Sequence, residues 1–222
     1  MTIHTKQIAF NRTTRTDKIK YIVIHDTGNK SRGANADAHF NYFNSGDRGS
    51  SADFFVDDTQ ILQVNDYNKY YTWHCGDGNG KYGITNNNSI GVEICVNSDG
   101  NYDVAFNKTV ELVKRLMSEL NIHIDRVVRH YDASRKNCPA SMSGNDWALW
   151  ETFKGQLIFK GVEKMIYNYI DDNTAKIADD ANECLQHLVD KGVLKGNEKG
   201  ELNLTLEMIR IFLVHYRVGL YK

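Results

Sequence analysis

The chain has 222 residues, of which 41% are hydrophobic and 25% charged, with a formal net charge of −1. That length allows one full domain and a small second one. Near-neutral charge excludes a global basic field that would draw the chain to nucleic acid or anionic lipid. No apolar run approaches the ~18 residues that span a bilayer, which argues against membrane insertion.

The first stretch, Met1 to Gln7, lacks the apolar core of a signal peptide. The expectation is synthesis in the cytoplasm, with any substrate outside reached by another route. The four cysteines, Cys75, Cys95, Cys138 and Cys184, show no CxxC pairing, so reduced thiols are expected. Cys75, Cys95 and Cys184 read as small apolar filler.

Residues 1–18 are polar without a clear period. The β-branched run Ile19 to His25 predicts a buried strand that exits into a polar loop at His25-Asp26-Thr27-Gly28. Ala36, Phe40 and Phe43 have helical spacing within Ala34 to Asn44. Ala52 to Val56 and Ile61 to Val64 read as a hairpin across Asp57 to Gln60. Tyr67 to Asn88 reads as irregular surface, rich in aromatics, glycine and asparagine, of the kind that carries function.

Ile90 to Val96 alternates, with Ile90, Val92, Ile94 and Val96 on one face and Gly91, Glu93 and Cys95 on the other. Phe106, Val110, Val113, Met117 and Leu120 predict an amphipathic helix over 105–120. Ile124 to His130 reads as another strand, and Trp147, Trp150, Phe153 and Leu157 as a last helix. The fold class expected is α/β, a mixed sheet flanked by helices over residues 1–159, followed by a small α-helical C-terminal domain over 160–222. In that second part Ile177, Ala181, Cys184, Leu185 and Leu188 predict one helix. Leu206, Ile209, Phe212 and Leu213 predict another, N-capped by Thr205.

The chemistry centres on Val127 to Pro139. There an apolar run ends on His130, and Cys138 follows eight residues later, before the only proline. An imidazole and a thiolate at that spacing suggest two ligands of a zinc ion. Catalytic zinc commonly takes three protein ligands and leaves a position for water, so a third ligand is expected at the end of a neighbouring strand, where His25 sits. A general base must then move the water proton. Glu93, in the middle of an apolar strand, fits that role, because an ionised side chain there is costly unless paired. The alternative is a carboxylate facing solvent from a one-sided sheet. Lys136 is either a positive charge beside a developing oxyanion or a solvated loop lysine. His74, in Trp73-His74-Cys75-Gly76, either lines the substrate groove or is a buried, hydrogen-bonded histidine. His39 is expected to be structural or at the surface.

These stretches resemble the zinc-dependent N-acetylmuramoyl-L-alanine amidases shared by phage endolysins, bacterial autolysins and peptidoglycan recognition proteins. The resemblance rests on Tyr21 to Gly28, Trp73 to Gly76, Asn88 to Ile94, and Arg129 to Asp132 through Lys136 to Pro139, in the family's order over roughly residues 15–158. It looks closest to endolysins of phages that infect Gram-positive spore formers.

The resemblance implies zinc held by His25, His130 and Cys138, and peptidoglycan as the partner. It also implies hydrolysis of the amide between the lactyl group of N-acetylmuramic acid and L-alanine. Glu93 matches the acid/base glutamate of the endolysin branch, and Lys136 the lysine that assists the oxyanion. The tyrosine that some relatives carry before the hairpin is replaced by Ser50-Ser51-Ala52-Asp53-Phe54, which weighs against a tyrosine-assisted variant. Recognition-only members usually lack the cysteine ligand, so Cys138 favours an enzyme over a non-catalytic peptidoglycan-binding module. A cytosolic amidase that recycles muropeptides is the other alternative. The C-terminal segment resembles helical wall-binding repeats of the S-layer-homology kind; its rival reading is a dimerisation piece that pairs with a second copy.

Overall fold

Two three-residue strands, β1 (Ile3–Thr5) and β2 (Arg12–Thr14), occupy the N-terminal stretch that has no visible period. Next come β3 (Tyr21–Asp26), α1 (Ala36–Phe43), the hairpin β4 (Phe54–Val56) and β5 (Ile61–Gln63), then β6 (Tyr70–Thr72) and β7 (Ser89–Ile94). The long amphipathic helix α2 (Tyr102–Leu120) leads to β8 (Val127–Arg129), the short α3 (His130–Ser134) and α4 (Gly144–Leu157). This computed structural model describes residues 1–157 and 181–221. The chain divides into two compact units, Met1–Ile158 and Phe159–Lys222. No helix among the described residues is long and apolar enough to cross a membrane.

A mixed six-stranded sheet runs in the order β1-β5-β4-β7-β3-β8, and β2 with β6 forms a separate two-stranded ribbon. The centre is parallel: β3 lies between β7 and β8, and β4 runs parallel to β7 on its far side. Alternation along these strands separates two faces. Ile22, Ile24, Ile90, Val92 and Ile94 join Phe106, Val110 and Val113 of α2 and Trp150, Phe153 and Leu157 of α4 in the main core. Each such large side chain, taken fully out of water, contributes about 1.5–3 kcal/mol. Val23, His25, Gly91 and Glu93 fall on the other face by the same alternation. Asn101 caps α2, its side chain accepting from the Val104 N–H at 3.2 Å.

Several local expectations need correction. The first 18 residues contain β1 and β2, and the stretch 67–88 contains β6 and a 3-10 turn at Gly76–Gly78. The strand expected over 124–130 is only β8; Ile124–Arg126 is a 3-10 turn, and His130 opens α3 instead of ending the strand. The reason is local: the Arg129 guanidinium grips the Asp132 carboxylate (2.7 and 3.0 Å), while the Arg129 N–H donates to it at 2.9 Å. Those bonds turn the backbone immediately after β8.

In the second unit, α5 (Ala181–Asp190) and α6 (Leu206–Arg217) share a small core. Cys184, Leu185 and Leu188 pack there with Leu204, Ile209 and Leu213. Thr205 caps α6, accepting from the Met208 N–H at 3.3 Å. Ile177 and the side chain of Leu206 lie outside the described residues.

Candidate active site

Sheet register assembles the site. His25 of β3 stands opposite Glu93 of β7. On the other side Ile24 stands opposite Arg129, the last residue of β8, so His130 follows next to His25. Phe55 of β4 flanks Glu93 in the same row. Pairing alone therefore lines up Phe55, Glu93, His25 and His130 across four elements.

Cys138 enters from the loop after α3. Its carbonyl accepts from the Tyr131 N–H at 3.0 Å, folding the loop back over the helix. Its Sγ lies 3.8 Å from Nδ1 of His25. One ligand atom from each of His25, His130 and Cys138 falls within 4.8 Å of the others, and all three residues are buried. The three expected metal ligands thus converge.

Electrostatics at these groups follow from burial. Loss of water, together with the neighbouring His130, holds the His25 imidazole well below its usual pKa. Burial lowers His130 too, opposed by its hydrogen bond to Asp77. Burial and the nearby Glu93 push the Cys138 thiol up. Burial and Asp26 raise the Glu93 carboxyl well above the carboxylate range, with Lys136 pulling the other way.

Two neutral imidazoles and a thiol at this spacing form a soft donor set suited to a divalent transition metal. A cation there would favour the thiolate that burial opposes. Glu93 adds a second observation. Its Oε1 is 3.9 Å from His25 Nδ1, and its buried Oε2 has no hydrogen-bond partner. A buried carboxylate oxygen left unpaired is costly, which is what a site made for something absent from the fold itself looks like.

A cavity of about 340 Å³ opens over these groups, lined among others by His25, Glu93, Trp73, His74, Lys136 and Cys138. Lys136 is exposed and also lines the adjoining hollow beside Gly49, Trp73 and Asp77. A second cavity of about 400 Å³ lies between α1 and Phe55 and shares Glu93 and Thr27 with the first. His39, expected to be structural or at the surface, is buried and stacked on Phe55 at 5.2 Å between ring centres. His74 lines the site cavity but is itself buried, with Nδ1 3.1 Å from Nε2 of His25.

Asp77 is a site residue that the sequence pattern does not single out; its Oδ1 lies 2.7 Å from Nε2 of His130. Nothing in its spacing points to that role. Only its place in a glycine-rich loop after Trp73-His74 hinted at function.

A family model described as N-acetylmuramoyl-L-alanine amidase matches residues 15–141, more than half of the chain. The chain belongs to this amidase family. Among curated relatives, N-acetylmuramoyl-L-alanine amidase XlyA of Bacillus subtilis is 42% identical over 134 residues, 60% of this chain and 42% of that protein. The amidase CwlH of the same organism is 37% identical, covering 60% of this chain and 50% of that protein. The chain therefore spans half or less of the length of these two relatives.

Solved amidase-family domains agree. The catalytic domain of XlyA superposes with TM-score 0.63 at 38% identity, covering 71% of this chain and 99% of that one. PlyL superposes with TM-score 0.60 at 34% identity, covering 71% and 97%. The mixed sheet flanked by helices is thus the fold of endolysin catalytic domains.

Proposed function

We propose that the chain is an endolysin-type amidase that hydrolyses the bond between N-acetylmuramic acid and L-alanine in bacterial peptidoglycan. The observation that carries this is the row of Glu93, His25 and His130 closed by Cys138: three convergent metal donors beside a carboxyl group with an unpaired oxygen. Zinc is the metal that a buried His-His-Cys set fits best. His25, His130 and Cys138 would hold it, and when bound it supplies an activated water and polarises the carbonyl under attack.

The chain's own residues do the rest. Glu93 accepts the proton of the attacking water and returns it to the departing amine of L-alanine, a task for which its unpaired Oε2 beside His25 is placed. Lys136, at the cavity rim, places its ammonium beside the carbonyl oxygen as negative charge develops there. Trp73, also lining the cavity, offers a flat face to the substrate. The C-terminal unit, by this reading, anchors the enzyme to the wall or pairs it with a second copy. The site of action is the cell wall.

The test is to incubate purified Gram-positive walls with the protein, with and without a zinc chelator, and identify new chain ends. New L-alanine amino termini, lost on chelation and restored by Zn²⁺, are expected. New reducing sugar ends would overturn the reading. Cleavage of soluble muropeptides with no action on intact walls would move it to a recycling enzyme. Binding without cleavage would leave a recognition module.

A further inference from the structure

Both histidines of the candidate metal centre use Nε2 elsewhere, and both partners come from one loop. Between β6 and β7, three residues apart in sequence, stand His74 and Asp77. Nδ1 of His74 lies 3.1 Å from Nε2 of His25, and the other ring nitrogen of His74 lies 3.2 Å from the Ser89 hydroxyl. Ser89 donates in turn to the Thr85 carbonyl. Since that hydroxyl proton is committed, Ser89 accepts from Nε2–H of His74. His74 Nδ1 is then an acceptor, and His25 must carry its proton on Nε2. At the other histidine, the Asp77 carboxylate can only accept, so His130 also carries its proton on Nε2. The second oxygen of Asp77 accepts from Ser134 Oγ at 3.2 Å, and that Oγ accepts from the Lys136 N–H at 3.2 Å.

The loop is clamped in place independently of these bonds. A Cβ on Gly78 would lie 2.1 Å from the carbonyl oxygen of Ala133, so only glycine lets the loop backbone press against α3, which begins with His130. A Cβ on Gly91 would lie 2.6 Å from Cγ of His74, so β7 leaves His74 its space. Asn86 accepts from the N–H groups of His74 and Cys75 at 3.0 and 2.7 Å. The Arg135 guanidinium sits 4.0 Å over the Tyr82 ring, a further tie between the loop and the end of α3.

We propose that Asp77 and His74 are positioning residues: by accepting from Nε2–H of His130 and His25 they fix both imidazoles in the tautomer that leaves Nδ1 for a metal ion. This rests on the metal reading above. Neither residue touches the reacting amide through this role. Each acts through a ligand, as partners behind metal-bound histidines do. The two clamps differ in kind. One is an anion that also strengthens its ligand as a donor; the other is a neutral chain ending on a backbone carbonyl.

The test measures Zn²⁺ affinity of the full chain by competition with a chromophoric chelator, beside melting of the metal-free protein. Asp77 is about half exposed, so its variants are expected to melt like the parent when metal-free. Asp77→Ala and His74→Phe are each expected to weaken zinc binding about 10–100-fold. Asp77→Asn still accepts from Nε2–H and is expected to recover part of the loss. Asp77→Ala binding zinc as tightly as the parent would overturn the proposal, as would Asp77→Asn binding as weakly as Asp77→Ala. A parent chain that binds no zinc would remove the metal reading and this one with it.

Discussion

The two faces of the central strands solve opposite problems. Toward α2 and α4 the sheet presents Ile22, Ile24, Ile90, Val92 and Ile94, whose burial in the main core is favourable with no partner required. Toward the site the same strands present His25, Gly91 and Glu93, and buried polar groups such as Asp53, His74 and His130 surround them. Each of these must find a hydrogen bond or cost free energy. The Asp53 carboxylate finds three, from Asn65, Thr72 and the N–H of Gly91. Glu93 Oε2 finds none. One face supplies stability, and the other spends some of it to hold reactive groups in place.

The largest expected break in this contrast is at Glu93. Glu93→Ala should keep the fold and zinc binding while wall cleavage falls about 10²–10⁴-fold, the usual worth of a positioned acid or base. Release of L-alanine amino termini measures it; a variant that cleaves at the parent's rate would end the assignment. The mirror-image change lies on the other face. Phe153 of α4, fully buried in the main core with its ring edge-on to Phe106 of α2, should cost about 3–5 kcal/mol of unfolding free energy as Phe153→Ala. Denaturant titration reads this loss, and activity per folded molecule should stay near the parent's.

A smaller effect sharpens the cost of the polar face. Burial lowers the pKa of His39 and of His25, and pushes that of His74 down to about 3. The unfolded chain protonates these groups near pH 6.5, so it binds more protons than the folded chain below that value. The contribution of these histidines to stability in chelator should therefore be full above pH 6.5 and be lost as pH drops toward their folded pKa values, against the opposite contribution of the raised Glu93 carboxyl. Each such histidine contributes up to about 1.4 kcal/mol per pH unit across its window. His39→Phe, whose ring would stack on Phe43 and Phe55 as the imidazole does, should flatten the dependence. Equal slopes for parent and variant between pH 7 and 5.5 would refute the attribution. Smallest is the cap of the core helix: Asn101→Ala should cost about 1 kcal/mol, seen as a lower denaturation midpoint with unchanged zinc binding.

The sequence carried the apolar face and the ligands well, and the polar scaffolding poorly. β3, β7 and α2 each hold enough residues to display a period, and the histidine, glutamate and cysteine positions fall in stretches that resemble a known family. β1, β2 and β6 are three residues long, too short to show alternation, and β2 pairs with a strand nearly sixty residues away. The run Ile124 to Val128 predicts a strand that ends on His130; the Arg129–Asp132 contact that turns the chain there is a side-chain fork without periodic trace. Asp77 was invisible for the same reason. A carboxylate in a glycine-rich loop looks like any solvated turn until the fold brings an imidazole to it.

Because Glu93 meets His25 through strand register, the distance between proton carrier and metal centre is not adjustable in small steps. A slip of one residue in β7 would bring Ile94 to the site and turn the carboxyl into the apolar layer under α2. Change at this pair is thus all-or-none, and gradual change in substrate preference is left to the rim on the α1 side, where Tyr42 and Asn29 line the second cavity without contacting the three metal donors.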